Sequence, residues 1–121
     1  MTPQEAVDQA YSKLMTQGQG AIALGDCCYS TLPLDSYSPE RFCALGILLE
    51  PETARRIERD TSYQEGLAEI CAILDLDWQF AKELQRCHDI AALQRDFKKT
   101  LTGQINVLCY KHTLTPPQEK T

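Results

Sequence analysis

The sequence predicts a mainly α-helical protein: a compact bundle of about five helices with a small extended or β element near residues 21–31. Three observations support this fold class. Apolar residues recur at spacings of three and four along most of the chain, which is the period of an amphipathic helix. Two capping boxes mark helix starts, and 121 residues with 43% hydrophobic content can bury one core. We therefore expect a single domain over residues 1–113 and a polar, proline-containing tail over residues 114–121.

The first helix is predicted to start at Pro3. Thr2 can cap it, and Glu5 lies three residues after the cap, so the two side chains can form a capping box. Its apolar stripe comprises Ala6, Val7, Ala10, Tyr11, Leu14 and Met15. Gly18 and Gly20 follow this stripe, and we expect them to end the helix. Residues 21–31 then lack a helical period and include the turn signal Gly25-Asp26, which predicts a short extended segment, and residues 32–37 are predicted to be loop.

The stretch SPERFCALGILLEP, residues 38–51, is the most apolar part of the chain. Its opening Ser-Pro pair is typical of a helix start. Its apolar residues Phe42, Leu45 and Leu49 fall on one helical face. This pattern predicts a helix over residues 39–49, although Gly46 disfavours it by roughly 1 kcal/mol relative to alanine. A strand that pairs back on Cys28 and Tyr29 is the alternative.

Two further helices are predicted between residues 51 and 74. Pro51 begins a short polar helix with the sequence PETARRIERD. Ser62 and Glu65 then form a second capping box, which marks the start of the third helix. The apolar stripe of the third helix comprises Tyr63, Leu67, Ile70, Cys71 and Leu74.

The last two predicted helices are separated by a change in the apolar pattern. The fourth starts at Asp75 or Asp77, and one of its faces carries Phe80, Ala81, Leu84, Cys87 and His88. Beyond this face the apolar positions shift phase to Leu93, Phe97, Leu101, Ile105, Leu108 and Cys109. We therefore expect a bend or break near His88, with the carboxylate of Asp89 capping the second piece.

Charge and composition narrow the classes of partner. A net charge of −5 argues against a nucleic-acid-binding protein, which needs a basic surface to replace counterions around phosphates. The N-terminal stretch has no apolar signal region, and no run approaches the roughly 18 apolar residues that span a bilayer. From this we expect a cytoplasmic location, no membrane partner, and another protein as the binding partner. No pattern in the sequence indicates an oligomeric state or requires a cofactor.

The acidic charge is concentrated in residues 50–77, where eight acids stand against three arginines. One interpretation of these acidic residues is a solvent-exposed surface that binds no partner. The functional one is a docking surface for a partner protein, formed by Glu58, Asp60, Glu65 and Glu69. Trp78 is either an anchor for that partner or a residue that closes the core, because tryptophan serves in both roles.

Six cysteines stand at positions 27, 28, 43, 71, 87 and 109. Because nothing predicts export, we expect free thiols rather than a disulfide framework. An alternative function is a small enzyme or ligand-binding protein in which Cys28 or Cys43 is a nucleophile and His88 its base. Asp89 is not expected to orient His88, since neighbouring side chains of a helix point about 100° apart. The competing interpretation is a buried His88 hydrogen-bonded to a backbone carbonyl.

Zinc binding is the second alternative. Cys109 and His112 are three residues apart and can share a helical face, as a chelating pair does. No second local pair is recognisable, because the adjacent Cys27 and Cys28 do not form a C-x-x-C knuckle. The sequence therefore predicts no metal site, and zinc stays a weaker hypothesis.

The segments FCALGIL and LQRCHDIA support a resemblance. The chain resembles small uncharacterised bacterial and phage-borne proteins that have a cysteine-tyrosine element, a C-A-x-G-x-L segment and a later H-D pair. The matching residues are Cys28, Tyr29, Cys43, Ala44, Gly46, Leu48, His88 and Asp89. The resemblance implies an accessory protein of a bacterial or mobile genome and supplies no reaction. Together these observations favour a non-enzymatic accessory or regulatory protein that acts through protein–protein interaction.

Overall fold

The computed structural model describes residues 1–23, 26–31 and 39–117. Five α-helices account for most of this part of the chain, which confirms the predicted fold class. They are α1 (Pro3–Gln17), α2 (Pro51–Asp60), α3 (Tyr63–Leu74), α4 (Trp78–Ala92) and α5 (Phe97–His112). A two-stranded antiparallel hairpin, β1 (Ile22–Ala23) and β2 (Asp26–Cys27), follows α1 and pairs Ile22 with Cys27. A 3₁₀ turn over Gly46–Leu48 precedes α2.

Both predicted capping boxes are present. The Thr2 hydroxyl accepts from the Glu5 amide at 3.1 Å while the Glu5 carboxylate accepts from the Thr2 amide at 2.9 Å. Ser62 and Glu65 repeat this arrangement at the start of α3. Gly18 ends α1 with a φ of 80°, a left-handed conformation that glycine adopts at no steric cost.

The predicted helix over residues 39–49 is wrong. Its apolar stretch instead runs beside residues 29–31: Ser30 and Phe42 form an antiparallel bridge, and the Cys43 amide donates to the Tyr29 carbonyl at 3.3 Å. Only Gly46–Leu48 is helical, as the 3₁₀ turn. The alternative of strand pairing was closer, because these backbone groups bond to a distant segment rather than to the next turn. The predicted Ser38 cap, the predicted loop and Gly25 lie outside the described residues.

The break before α5 comes later than the sequence predicted. α4 continues through His88 and Asp89 to Ala92, so the proposed cap at Asp89 is wrong. The cap is Asp96, whose carboxylate accepts from the Lys99 amide at 3.1 Å. Leu93 therefore lies in the connection and is 67% exposed, whereas the rest of the predicted α5 stripe is buried. The phase change in the apolar pattern marks a break between two helices, as one of the two alternatives predicted, but the break is a four-residue connection after Ala92 rather than at His88.

The core lies between the helices. α4 and α5 form the most extensive contact, and α1 packs on both α5 and the 3₁₀ turn. The largest fully buried side chains include Leu14, Leu45, Ile57, Leu67, Ile70, Leu84, Leu101 and Ile105. Tyr63, which the sequence placed in the buried stripe of α3, is half exposed and stacks on Tyr29. No helix in the described ranges combines the length and apolarity needed to cross a lipid bilayer.

Candidate functional site

His88 occupies a fully buried position on α4. Its Nε2 accepts a hydrogen bond from the Ala21 amide at 2.9 Å, and its Nδ1 lies 2.9 Å from Oδ1 of Asp89. Because the Ala21 amide can only donate, Nε2 must carry the lone pair, and Nδ1 must carry the proton donated to Asp89. Both ring nitrogens are therefore occupied. The predicted partner, a backbone carbonyl, was wrong: the histidine accepts from an amide.

The contact between His88 and Asp89 also corrects the expectation that adjacent helical residues cannot meet. Nδ1 and Oδ1 each lie three bonds from their Cα, so both side chains can turn toward each other across the roughly 100° between them. Oδ1 of Asp89 accepts a second bond from Nε2 of Gln85 at 3.0 Å. Gln85 in turn accepts from the Leu45 amide at 3.2 Å. These contacts tie two irregular backbone segments to α4.

Gln85 was absent from the sequence-based candidates. It is almost completely buried, and its amide satisfies a backbone donor on one side and a carboxylate on the other. A glutamine three residues before a histidine on an apolar helical face is the signal that could have identified it. Since Gln85, His88 and Asp89 satisfy one another and nearby amides, their evident role is to hold the fold.

The three residues of the predicted catalytic pocket, Cys28, Cys43 and His88, are all buried. Cys43 is completely buried, and its sulfur accepts from the Gly46 amide at 3.2 Å. Burial raises the pKa of the Cys43 thiol far above its ordinary value, which opposes thiolate formation. Cys28 is also buried, with its sulfur directed at the Ala21 carbonyl at 3.6 Å. A small hollow of about 90 Å³ near Cys28 is lined by neither Cys43 nor His88.

A different set of side chains approaches metal-ligand geometry. Cys27, His88 and Asp89 place one sulfur, one nitrogen and one oxygen within 4.8 Å of one another, the one such group in the described part of the chain. A metal-bound neutral imidazole carries its remaining proton on the other ring nitrogen and donates it to an acceptor. Here Nε2 faces the Ala21 amide, another donor. Metal binding at Nδ1 would set two hydrogens against each other, so the donor set does not fit a metal ion.

The predicted zinc pair is engaged elsewhere. The sulfur of Cys109 lies 3.8 Å from the Thr115 carbonyl, and Nε2 of His112 lies 2.9 Å from Oε2 of Glu83. Within residues 1–23, 26–31 and 39–117, this pair belongs to no group of three candidate ligands. The geometry therefore gives the zinc hypothesis no support in these ranges.

The four carboxylates predicted to bind a partner all have partners inside the chain. They are Glu58, Asp60, Glu65 and Glu69. Glu58 accepts from the Tyr29 amide at 2.6 Å, and Glu69 pairs with Arg56 at 2.5 Å. Asp60 pairs with the arginine before it, and Glu65 completes the capping box of α3. The acidic surface stays a predicted docking site, but its charges are partly neutralised in place.

Exposed apolar side chains offer a second candidate surface. Val107 is 67% exposed and Tyr110 is 90% exposed. They share one side of α5 with Gly103, because the spacings of four and three bring residues onto one helical face. We call Gly103, Val107 and Tyr110 the outer face of α5. The sequence signal was available, since Val107 and Tyr110 are apolar positions that fall outside the buried stripe. Trp78, at the start of α4, is 41% exposed and can therefore contact a partner only through part of its ring.

Beside the outer face lies a groove of about 200 Å³ between α4 and α5. Val107 and Leu108 contribute apolar surface to it, and Arg86 and Lys111 contribute positive charge. Lys111 pairs with Glu83 at 3.1 Å, whereas Arg86 forms no ion pair with a described residue. The arrangement can receive an apolar side chain from a partner and pair an adjacent carboxylate with Arg86.

Comparison with protein-family models, with curated proteins and with solved structures found no match.

Proposed function

We propose that this protein is a small non-enzymatic accessory protein that acts by binding another protein, and that the outer face of α5 is its docking surface. The observation that carries the proposal is the 90% exposure of Tyr110, beside the exposed Val107, on a helix whose opposite side is packed in the core. Tyrosine contributes strongly to interfaces because it presents a large, rigid apolar area with few rotatable bonds.

The partner surface that fits is an apolar segment flanked by carboxylates. The groove beside the outer face accepts an apolar side chain, and Arg86 at its edge can pair with an acid. Gly103 adds to the fit, because no heavy atom lies within 4 Å of a Cβ built there, which leaves the backbone of α5 accessible to a close approach.

The arrangement of thiols and imidazole favours binding over catalysis. The only unprotonated nitrogen of His88 already accepts from Ala21, so it is not available to take a proton from a thiol. Burial raises the pKa of Cys43, and it raises the pKa of Cys87 to about 12. Neither thiol has the exposed, electropositive surroundings of a reactive cysteine.

The docking proposal is tested with a double variant, Val107→Ser with Tyr110→Ser, in a pull-down from the source cell. We expect a partner protein retained by the wild type to be lost. Leu93→Ser is the matched control, because Leu93 is as exposed as Val107 but lies off the outer face. Arg86→Glu should weaken capture if the partner is acidic. Equal capture by the double variant would reject this surface.

The competing surface is tested in the same assay by reversing Glu58, Asp60, Glu65 and Glu69 to lysine. Loss of the partner in this variant, at unchanged capture by the α5 variant, would assign docking to the acidic side. Helical content measured by circular dichroism must accompany this variant, because the carboxylates make contacts within the chain. Sedimentation of the purified wild type alone measures whether the chain forms a dimer, and so tests whether the outer face is occupied by a second copy of this chain rather than by a different protein.

Iodoacetamide labelling tests the non-enzymatic part of the proposal. In the folded protein near neutral pH, Cys43 and Cys87 should react far more slowly than free cysteine, because their thiols are buried and protonated. Labelling in denaturant supplies the reference for full reactivity. A thiol that reacts faster than free cysteine in the folded state would indicate an activated nucleophile and would favour the enzyme hypothesis.

A further inference from the structure

A cavity lies between the end of α1 and the start of α5. Its volume is about 710 Å³, within the range of roughly 300–1,000 Å³ typical of small-molecule sites. One wall is formed by Gly18, Gln19 and Gly20, and the other by the connection from α4 to α5. Gly20 permits this arrangement, because a Cβ built there would lie 2.2 Å from Cβ of Ala92. We call this cavity the α1–α5 cleft.

The charge of the cleft is opposite to that of the whole chain. Arg41, Arg95 and Lys98 line it, in a protein whose net charge is −5. Among the lining residues the one carboxylate is that of Asp96, and it caps α5 by accepting from the Lys99 amide at 3.1 Å. The cleft is therefore a locally positive site on a protein whose overall charge is negative, and this local charge favours an anionic ligand.

Arg41 is held in place but incompletely satisfied. Its amide donates to Oγ1 of Thr31 at 2.8 Å, and its carbonyl accepts from the Thr31 amide at 2.9 Å. One terminal nitrogen of its guanidinium donates to the side-chain oxygen of Gln19. Its Nε is buried, and none of the described residues supplies an acceptor for it. A buried donor without an acceptor is unfavourable. Because Arg41 lines the cleft, a small rotation of its guanidinium would bring this donor to an anion oxygen bound there.

The start of α5 adds two more donors. The amides of Phe97 and Lys98 are the first two of a 16-residue helix, so no carbonyl of that helix can accept from them. Both residues line the cleft. The positive end of the helix dipole also favours an anion at this point. The first two amides of α5 therefore add hydrogen-bond donors to the cleft, which already contains three cationic side chains and the Nε donor of Arg41.

We propose that the α1–α5 cleft binds the phosphate group of a small phosphorylated molecule. Arg41 is the anchoring residue, since its planar fork can donate two parallel bonds to phosphate oxygens. Arg95 and Lys98 neutralise the remaining charge. A phosphate suits this set better than a carboxylate, because three cations and two amides offer more positive charge and more donors than a single monoanionic group can use. The cleft is a ligand site separate from the outer face of α5.

Calorimetric titration of the full chain with pyrophosphate and with inorganic phosphate tests the proposal. We expect saturable binding of pyrophosphate that weakens as salt is raised. Arg41→Gln should weaken it by at least about tenfold, since a charge-assisted hydrogen bond is lost. Lys98→Gln should weaken it less, and Lys82→Gln is the matched control, because Lys82 is an exposed lysine on α4 outside the cleft.

Three outcomes would overturn the proposal. They are no saturable binding at millimolar pyrophosphate, equal weakening by Lys82→Gln, and binding of a dicarboxylate such as malonate as tight as that of pyrophosphate. Lys98 lies on the exposed side of α5, so its variant decides the question if Arg41→Gln disturbs the adjoining segment and fails to fold. Circular dichroism of each variant identifies such a failure.

Discussion

Gly46 lies against the backbone of a segment that is distant in sequence. A Cβ built at Gly46 would lie 2.2 Å from the carbonyl oxygen of Tyr29 and 3.4 Å from the sulfur of Cys43. No side chain is compatible with the first of these distances, so the 3₁₀ turn and residues 28–31 approach closely only because residue 46 is glycine. The absence of a side chain at residue 46 thus permits the packing of residues 39–49 beside residues 29–31.

Gly46→Ala should therefore lower the free energy of unfolding by about 1–3 kcal/mol, the cost of overpacking a fitted site. Gly103→Ala is the matched control: it lies inside α5 with nothing within 4 Å, so it should raise the free energy of unfolding by about 0.5–1 kcal/mol through helix propensity. Urea denaturation of both variants measures these values. Equal stability of Gly46→Ala and the wild type would contradict the close approach.

Glu83 connects α4 with the end of α5. Its carboxylate lies 2.9 Å from Nε2 of His112 and accepts from Nζ of Lys111 at 3.1 Å. The hydrogen bond with His112, assisted by Lys111, lowers the pKa of Glu83 from 4.5 to about 2. A carboxyl whose pKa is lower in the folded chain than in the unfolded chain stabilises the fold above the unfolded pKa, and this stabilisation is lost as the pH falls through the folded pKa.

The wild type should accordingly lose stability between about pH 5 and pH 2, and Glu83→Gln should reduce that loss by about 1 kcal/mol once solvent screening of the pair is allowed for. Glu50→Gln is the control, because it removes the same charge from an exposed residue that forms no ion pair with a described side chain. Denaturant unfolding at several pH values gives the slopes. Identical acid slopes for Glu83→Gln and Glu50→Gln would contradict the prediction.

At the scale of elements, each of the four longest helices begins with a side chain that accepts a hydrogen bond from one amide of its first turn. Thr2 and Ser62 do so in capping boxes, and Asp77 and Asp96 do so alone. α2 has no such side chain and begins instead with a proline, which has no amide hydrogen to satisfy. The position at which each helix starts is therefore determined by a few local residues and does not depend on which face of the helix is buried.

Ser62→Ala tests how much such a start contributes. Removing the hydroxyl leaves the Glu65 amide without its acceptor, so the free energy of unfolding should fall by about 1 kcal/mol. Ser12→Ala is the matched control, since Ser12 is exposed within α1 and alanine is the better helix former there, so its effect should stay within about 0.5 kcal/mol. Thermal and urea unfolding measure both. A cost no larger than that of Ser12→Ala would show that the capping box adds nothing.

At the scale of the whole molecule, both ends of the described chain are tied to the bundle. The N-terminal ammonium donates to the Leu74 carbonyl at 3.0 Å. Gln4 forms two hydrogen bonds with the backbone of Thr115, each of 2.9 Å, and Leu114 packs against the core. The boundary predicted after residue 113 stays a prediction, but the first two residues of the predicted tail contact α1 and the core. The residues beyond 117 lie outside the described ranges.

Truncation after Thr113 should therefore lower the free energy of unfolding by about 2 kcal/mol, for two hydrogen bonds and the partial burial of Leu114. Truncation after Pro117 keeps these contacts and is the reference for the shorter chain. Comparison of the two truncated chains by urea denaturation separates the contribution of residues 114–117. If both chains unfold like the full chain, the tie between Gln4 and Thr115 contributes no measurable stability.

Much of the helical framework, and little of the candidate site, could be predicted. α1 and α3 followed from capping boxes and an apolar stripe, because both signals act within one or two turns. Residues 39–49 carried the same helical spacing, yet their backbone bonds to residues 29–31. The spacing of apolar residues reports only on neighbours within a helical turn, so it could not reveal that residues 29–31 compete for these backbone hydrogen bonds.

The local code of this chain specifies where its helices begin and which of their faces are apolar, since hydrogen bonds and side-chain spacing within a turn settle both. Long-range packing assigns the rest. The proton position on His88 depends on the amide of Ala21, 67 residues away in the chain, and the α1–α5 cleft exists because Gly20 lets two helix ends meet. These features cannot be predicted from the spacing of nearby residues, because a segment that is remote in sequence supplies the hydrogen-bond donor, the acceptor or the cavity wall.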